Sequence, residues 1–449
     1  MQNKYTIVIL GAGESGVGSA ILAQRKGISV FVSDSGTIKP QYKKMLEEHA
    51  IPYEAGTHDT NSILSAHEII KSPGIPDTQT IIQQAIELEI PVISELEFAA
   101  RYTQAQLICI TGSNGKTTTA LLTYHLLKQA NLNVGLAGNV GTSFAYQVAE
   151  KQYDFYVLEI SSFQLDNMYS FKADIAILLN ITPDHLDRYE HSFQKYMESK
   201  FRILQNMKQE DCFIYCNDDE TIIQEVQNRT VLPKQYTYTT DANTKNNGYI
   251  QDTDIIISLP NKESCTLNTN NMLLQGKHNY GNTMAATITA KIVDIKNEEI
   301  RKSLEDFQGV EHRLEKLSFT VRGIEFINDS KATNVNSTWY ALECMENEVV
   351  WIAGGTDKGN DYSQLFDLAR KKVKALICLG KDNSKLIEAF SDKIPTVVET
   401  TSMKDAVQAA YNIADKGNTV LLSPACASFD LFTSYTDRGN QFKEEARNL

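Results

Sequence analysis

Short apolar runs that break into glycine, serine or asparagine recur along the chain, separated by stretches with helical spacing of their apolar residues. Runs of this kind fit strands buried on both faces, and the amphipathic stretches fit helices packed over them. Tyr5-Thr6-Ile7-Val8-Ile9-Leu10 reads as the first strand, followed by the turn Gly11-Ala12-Gly13-Glu14-Ser15-Gly16, a helix, and a second strand through Val30-Phe31-Val32 that ends at Asp34. Glu68-Ile69-Ile70 reads as another, running into Ser72-Pro73-Gly74-Ile75. Residues 107–110 break into a glycine loop, with Leu121, Leu122, Leu126 and Leu127 carrying the helix behind it, and residues 155–160 and 175–180 repeat the strand pattern. Between about 228 and 271 the chain turns rich in Thr and Asn, with Asn247-Gly248 as a hairpin signal and residues 254–259 as a strand, which predicts a β-rich appendage. After Gly309 the alternation returns at residues 349–353, 375–379 and 420–422. The pattern predicts an α/β protein of three domains: residues 1–95 Rossmann-like, 96–309 a central P-loop ATPase-like α/β domain with the appendage, and 310–449 Rossmann-like again.

Composition narrows the class. At 449 residues the chain exceeds what one core serves, and 42% hydrophobic residues suffice for several. A formal net charge of -13 repels a phosphate backbone, so nucleic acid is not an expected partner, while local basic sites stay open to small anions. Seven cysteines without paired metal-ligand spacing point to reduced thiols, and Cys212 and Cys216 lack the second pair that zinc would need. The first apolar run stops at Gly11, and no stretch approaches the length of a membrane span. The expected setting is the cytoplasm, without membrane insertion, as a monomer.

The clearest chemistry lies in Thr111-Gly112-Ser113-Asn114-Gly115-Lys116-Thr117-Thr118. Glycines let successive backbone N–H groups turn toward phosphate oxygens, a lysine reaches the terminal ones, and a hydroxyl at the helix start holds Mg²⁺. The first glycine of the common spacing falls on Ile110, which leaves a glycine-rich turn with an ordinary surface lysine as the alternative. Glu159, ending a buried strand, is placed either to complete a Mg²⁺ shell or to cap the helix near Ser161-Ser162. His185, in Thr182-Pro183-Asp184-His185, is a second metal ligand or a solvated loop histidine. Lys200 reads as a helix-surface lysine. The turn at residues 11–16 with Asp34 suits NAD, another nucleotide diphosphate, or a purely structural role, and Ser72-Pro73-Gly74-Ile75 adds a second loop on the same strand-end face.

Taken together, the phosphate loop, Glu159-Ile160-Ser161-Ser162-Phe163-Gln164-Leu165, Gly276-Lys277-His278-Asn279-Tyr280-Gly281-Asn282, Glu311-His312-Arg313, Asp329-Ser330-Lys331-Ala332-Thr333-Asn334 and Ala353-Gly354-Gly355-Thr356-Asp357-Lys358-Gly359 resemble the Mur ligases. The resemblance covers essentially the whole chain and is strongest to the members that add D-glutamate. The family's phosphate loop is the shorter form, which accounts for Ile110. The resemblance implies a first domain for the UDP part of a substrate, a central ATPase domain and a third for the incoming amino acid, and so moves the first glycine loop from NAD to uridine diphosphate. It places Gly13, Asp34, Ser35 and Ser72 near the uracil and diphosphate, and Asn139 against the sugar-peptide part. Gly112, Ser113, Asn114, Gly115, Lys116, Thr117 and Thr118 would hold the ATP phosphates, with Asn282, Arg313, Asp329 and Lys331 around the rest of the nucleotide. Of two Mg²⁺ ions, Thr117 and Glu159 would bind one and His185 the other. Lys200 matches the lysine that the family carbamylates with CO₂, which turns an amine into a carboxylate able to ligate Mg²⁺. Thr333, Lys358, Ser423 and Phe429 match positions around D-glutamate. The implied reaction is ATP-dependent ligation of D-glutamate to UDP-N-acetylmuramoyl-L-alanine through an acyl phosphate, with Lys116, His185 and Lys200 as catalytic groups.

Three rival readings fit less of the chain. An NAD-dependent oxidoreductase leaves everything from the phosphate loop onward unexplained. Folate-type ligases lack the N-terminal nucleotide domain, and the Asp-Asn-Pro-Arg string of the diamino-acid-adding Mur ligases is absent. A regulator that merely binds ATP would not need substrate residues spread over three domains.

Overall fold

The computed structural model describes residues 5–449 except His185, Asn243, Leu273, Gln275, Gln308, Val310 and Lys358. Three sheets carry the chain. The first is wholly parallel, in the order Tyr53–Ala55, Ser29–Asp34, Thr6–Leu10, Glu68–Lys71, Val92–Ile93. The chain winds outward in both directions from Thr6–Leu10, so the strand-end crevice opens between Gly11 and Ser72. Backbone approach is close there. Gly11 has φ +96, and a Cβ on it would fall 2.4 Å from Ser72 Oγ; one on Gly16 would fall 1.9 Å from the Gly11 carbonyl oxygen.

The second sheet runs Cys265–Asn268, Asp254–Ile257, Gly248–Gln251, Lys234–Tyr238, Cys212–Cys216, Ile175–Leu178, Gln106–Thr111, Phe155–Glu159, Val134–Gly138. The strands from Lys234–Tyr238 to Val134–Gly138 are parallel. The Thr- and Asn-rich stretch is β-rich as the sequence predicts and extends the edge of this same sheet, with antiparallel outer strands. The chain does not turn at Asn247-Gly248 as the dipeptide predicts. Gly248 opens a strand, and the turn is Asp252-Thr253, between paired Gln251 and Asp254, with Asp252 at φ 55. The glycine serves packing, since a Cβ would meet Ile257 Cδ1 at 3.0 Å and Tyr238 Cβ at 3.1 Å.

The third sheet runs Glu315–Val321, Ile324–Asn328, Thr419–Leu422, Val349–Ala353, Val373–Leu379, Thr396–Thr400, with only the first pair antiparallel. Its opening hairpin turns at Arg322-Gly323, with φ of 54 and 75, and has no counterpart among the predicted strands.

Packing divides the chain differently from the sheets. Ile9, Val17 and Leu22 of the first region belong to one apolar core with Phe144, Tyr156, Leu158 and Phe213 of the second. These two regions make one compact unit, Met1–Leu273 with Asn279–Phe307. The other unit, Leu274–His278 with Gln308–Leu449, packs around Trp351, Leu376 and Leu421 on one face of its sheet and Phe326, Val420 and Phe442 on the other. Within the first unit the helix Glu14–Arg25 lies on the helix Phe144–Glu150, and Arg25 donates to the Ala149 carbonyl at 2.8 Å. Among the described residues no helix is long and apolar enough to cross a membrane.

Candidate active site

The strand Gln106–Thr111 delivers the phosphate loop to the edge of its sheet, and the helix Lys116–Gln129 leaves from it. Gly112 at φ +149 and Gly115 at φ +83 adopt backbone conformations that a side chain would strain. Gly115 begins the helix, and a Cβ there would fall 2.4 Å from Asn282 Oδ1. That same oxygen accepts from Thr119 Oγ1 at 3.2 Å, so Asn282 is brought onto the loop from the distant helix Lys277–Ile292. Ser113 and Asn114 fasten the loop to its neighbour. Ser113 Oγ donates to the Thr182 carbonyl at 2.8 Å and meets the Tyr196 hydroxyl at 2.9 Å, while the Asn114 N–H donates to Asn180 Oδ1 at 2.8 Å. Thr117 and Thr118 are buried in the first helical turn.

Two lysines converge on one carbonyl. Lys116 Nζ folds back onto the Gly112 and Ser113 carbonyls at 2.8 Å each, and Lys200 Nζ reaches the Gly112 carbonyl at 2.9 Å. Lys200 projects from the helix Phe193–Phe201, is 1% exposed, and lies 4.7 Å from the centre of the Tyr196 ring. The helix-surface reading of Lys200 is therefore wrong. Burial, reinforced by the neighbouring Lys116 charge, holds its amine well below the ordinary lysine range.

Glu159 ends the strand Phe155–Glu159 and is 2% exposed. Asn139 grips it twice, through Nδ2 to Oε1 at 3.0 Å and N–H to the carbonyl at 2.9 Å. Among the described residues its Oε2 is buried without a hydrogen-bond partner. Capping of the next helix falls instead to Ser161, in a capping box with Gln164. A buried carboxylate oxygen left unpaired is costly unless a cation or donor meets it. Mg²⁺ fits that need, because it binds through one or two carboxylates and keeps several waters. Among the described residues no cluster of three or more His, Cys, Asp and Glu is present, and such a site does not require one. His185 lies outside the described residues.

On the first sheet, Gly13 is exposed at the start of the helix Glu14–Arg25, which has no side-chain cap. Asp34 braces the glycine turn, accepting from the Ala12 N–H at 2.7 Å and the Gly36 N–H at 2.8 Å. Ser35 is exposed beside it, and the Ser72 N–H donates to the Leu10 carbonyl at 2.9 Å. These four expected residues thus share one strand-end edge. Sequence reasoning missed Arg188, whose guanidinium stacks 4.4 Å from the Phe163 ring centre and reaches the Pro73 carbonyl at 3.4 Å. It also missed Tyr196 and Asn180, although Asn180 closes a predicted strand next to the loop.

In the second unit, Asp329 follows the strand Ile324–Asn328 and accepts from Ser423 Oγ at 2.8 Å and the Leu314 N–H at 3.2 Å. Burial pushes its carboxyl up to about 7, against the opposing pull of Arg313. Ser423 is fully buried, so Asp329 and Ser423, expected on different ligands, touch each other. Lys331 Nζ lies 5.5 Å from the Tyr435 ring centre, Thr333 is exposed, and Phe429 is 72% exposed. Lys358 lies outside the described residues. Arg438, also missed, is buried and donates to Ser330 Oγ at 3.0 Å, the Gly354 carbonyl at 3.3 Å and the Cys426 carbonyl at 3.1 Å, tying three strand-end loops together.

Residues 5–94 match the Mur ligase MurD-like N-terminal domain, residues 110–290 the Mur ligase middle domain, and residues 312–426 the Mur ligase glutamate ligase domain. The chain is 56% identical over 447 residues to the UDP-N-acetylmuramoylalanine–D-glutamate ligase of Porphyromonas gingivalis, covering 99% of each. The chain belongs to the Mur ligase family. The ligase of the same description from Bacteroides fragilis is 54% identical over 444 residues, again 99% of each. Among solved structures, the UDP-N-acetylmuramate-alanine ligase MurC of Thermotoga maritima matches this Mur ligase with a TM-score of 0.63 at 16% identity, over 99% of both chains. The MurF ligase of that organism, in complex with ADP, matches at 0.62 and 15%, over 93% of this chain and 95% of its own. At those identities the structures speak for the fold alone.

Proposed function

We propose that this Mur ligase joins D-glutamate to UDP-N-acetylmuramoyl-L-alanine at the expense of ATP, in peptidoglycan precursor synthesis. The observation that carries the reading is end-to-end identity of 54–56% to ligases so described. The reading divides the chain at 1–95, 96–309 and 310–449 and sets it to work as a cytoplasmic monomer. Gly13, Asp34, Ser35, Ser72 and Asn139 take the uridine nucleotide; residues 112–118 with Asn282, Arg313, Asp329 and Lys331 take ATP; Thr333, Lys358, Ser423 and Phe429 take D-glutamate. Ser423, being buried on Asp329, acts from beneath its ligand.

The chemistry joins two anions before it joins an amine. The substrate carboxylate attacks the γ-phosphorus and ADP departs, leaving an acyl phosphate. The D-glutamate amine then adds to the acyl carbon, loses a proton, and phosphate leaves. Lys116 exchanges its loop carbonyls for the phosphate oxygens, and the N–H groups of the first turn of the helix Lys116–Gln129 meet the spread charge of the transferring group. Thr117 and Glu159 would hold one Mg²⁺, with His185 and a carbamate on Lys200 at a second, the ions offsetting the negative charge where carboxylate meets phosphate. The Lys200 surroundings support that modification, because only the free amine adds CO₂, releasing a proton, and burial favours the free amine.

The test is phosphate release from ATP and Mg²⁺ with UDP-N-acetylmuramoyl-L-alanine and, in turn, D-glutamate, L-glutamate, L-alanine, L-lysine or no amino acid. Release with D-glutamate alone, with the nucleotide gaining the mass of one glutamyl residue, is expected. No release with any acceptor would overturn the reading.

A further inference from the structure

Glu95 takes no part in the reaction just described, yet it is fully enclosed at the junction of the first two sheets, next to the helix cap Ser94. Its Oε1 accepts from Ser143 Oγ and from the Ala145 N–H at 3.0 Å, and the Ser15 hydroxyl also bears on the carboxyl. Both donors stand at the start of the helix Phe144–Glu150. The first region closes tightly around them. Glu14 Oε1 accepts the Ser143 N–H at 3.1 Å, and a Cβ on Gly18 would fall 2.0 Å from Ser143 Oγ. Backward from Ser143 the chain runs through the loop at 139–142. Its far end is held where Asn139 grips Glu159, and its last residue, Thr142, where Gln147 Nε2 donates to the Thr142 carbonyl at 3.2 Å and to Thr142 Oγ1 at 2.8 Å. A Cβ on Gly138 would fall 2.2 Å from the Glu159 carbonyl oxygen, so the chain packs tightly on the strand Phe155–Glu159 just before Asn139. The third anchor, at the Ser143 end, is Glu95.

We propose that Glu95 is a positioning residue for the nucleotide substrate: it clasps the Ser143 end of the loop and so fixes Asn139 against the UDP-linked ligand. The inference rests on the reading that gives Asn139 to that substrate. Its force comes from burial, because truncating the acceptor leaves two enclosed donors unsatisfied and frees the loop end.

Full-length wild type, E95A, E95Q and S143A are compared by calorimetric binding of UDP-N-acetylmuramoyl-L-alanine without ATP, by steady-state KM for that nucleotide and for D-glutamate, and by thermal melting. E95A is expected to bind the nucleotide about tenfold more weakly, which is about 1.4 kcal/mol, and to raise its KM in step. Its KM for D-glutamate stays within about twofold, since the residues assigned to that ligand lie in the other compact unit. E95Q keeps an acceptor oxygen and returns to within about threefold of wild type, with S143A between the two. Should E95A fail to fold, S143A carries the test, because it buries no new charge. Wild-type nucleotide affinity in S143A and in any folded E95A overturns the inference, as does an equal loss for both substrates. A wild-type protein that does not bind this nucleotide at all overturns the functional reading first.

Discussion

Lys116 and Lys200 end on the same carbonyl oxygen and do opposite things with their charge. Lys116 stands at the mouth of its helix, half-buried, with two carbonyls to hold its ammonium. Lys200 is sealed behind it, with one carbonyl, an aromatic face and a like charge beside it, and burial outweighs the opposing pull of Asp184 and Asp166. The first arrangement gives an ammonium two acceptors at the loop. The second disfavours the cation and leaves a free amine, so one residue type is set in two opposed electrostatic environments within a single loop's reach.

The comparison breaks most visibly in catalysis. K116A and K200A should each lower kcat by about 10²- to 10³-fold, the scale seen when a preorganised group facing developing charge is removed. Only K200A should recover part of its rate with millimolar acetate or formate, because on the proposed mechanism what it lacks is a carboxylate. Steady-state assays of both variants over an acetate series decide it; rescue of neither or of both would remove the carbamate from the mechanism. Wild type incubated with ¹³C-bicarbonate should show one carbamate resonance that K116A retains and K200A loses.

Stability separates the two lysines next. The unfolded chain keeps Lys200 protonated up to the ordinary lysine range while the folded one releases the proton lower, so between those values the unfolded state binds more protons and stability rises with pH. K200M removes that burden and should raise Tm by about 4 °C at pH 7, with the gain shrinking toward pH 10. K116M should shift Tm by about 1 °C or less, since its ammonium already has two carbonyl partners. Differential scanning fluorimetry at several pH values, with CO₂ excluded, gives both numbers.

The same pair explains what a linear reading reaches. Lys116 sits inside a local motif whose glycines, lysine and threonine are contiguous, so its place on the loop at the helix start was legible. The burial of Lys200 depends on Gly112 and Tyr196 closing over it, and helix periodicity alone reported an exposed lysine. Asn282 has no local signal either; only the resemblance pointed to it, and its oxygen lies where a Cβ on Gly115 would go. The strands were legible because apolar runs ending in small residues suit a parallel sheet, whereas Asn247-Gly248 misled because packing against Ile257 and Tyr238 also demands a glycine. Nothing in the pattern revealed that the first two sheets share a core, since Phe144 and Val17 meet only across the helix pair.

Asp329 in the second unit is the acidic counterpart of Lys200 and should titrate with the opposite sign. Its folded carboxyl is pushed up to about 7 from an ordinary value of 3.8, so between those values the folded state holds the extra proton. The stability it contributes is present in full below about pH 4 and is lost as pH rises through about 7. D329N is neutral throughout, so the stability of wild type relative to D329N should fall by about 2 kcal/mol between pH 5 and pH 7 and level off above it. Urea unfolding at pH 5, 6, 7 and 8, followed by a probe in the second unit such as Trp351 fluorescence, measures the difference. A flat or rising difference would mean that Arg313 outweighs burial and that the carboxylate stays ionised. Asp329 would then hold Ser423 as a charged acceptor at neutral pH, and the strand-end edge where the two meet would carry one more negative charge than burial alone predicts.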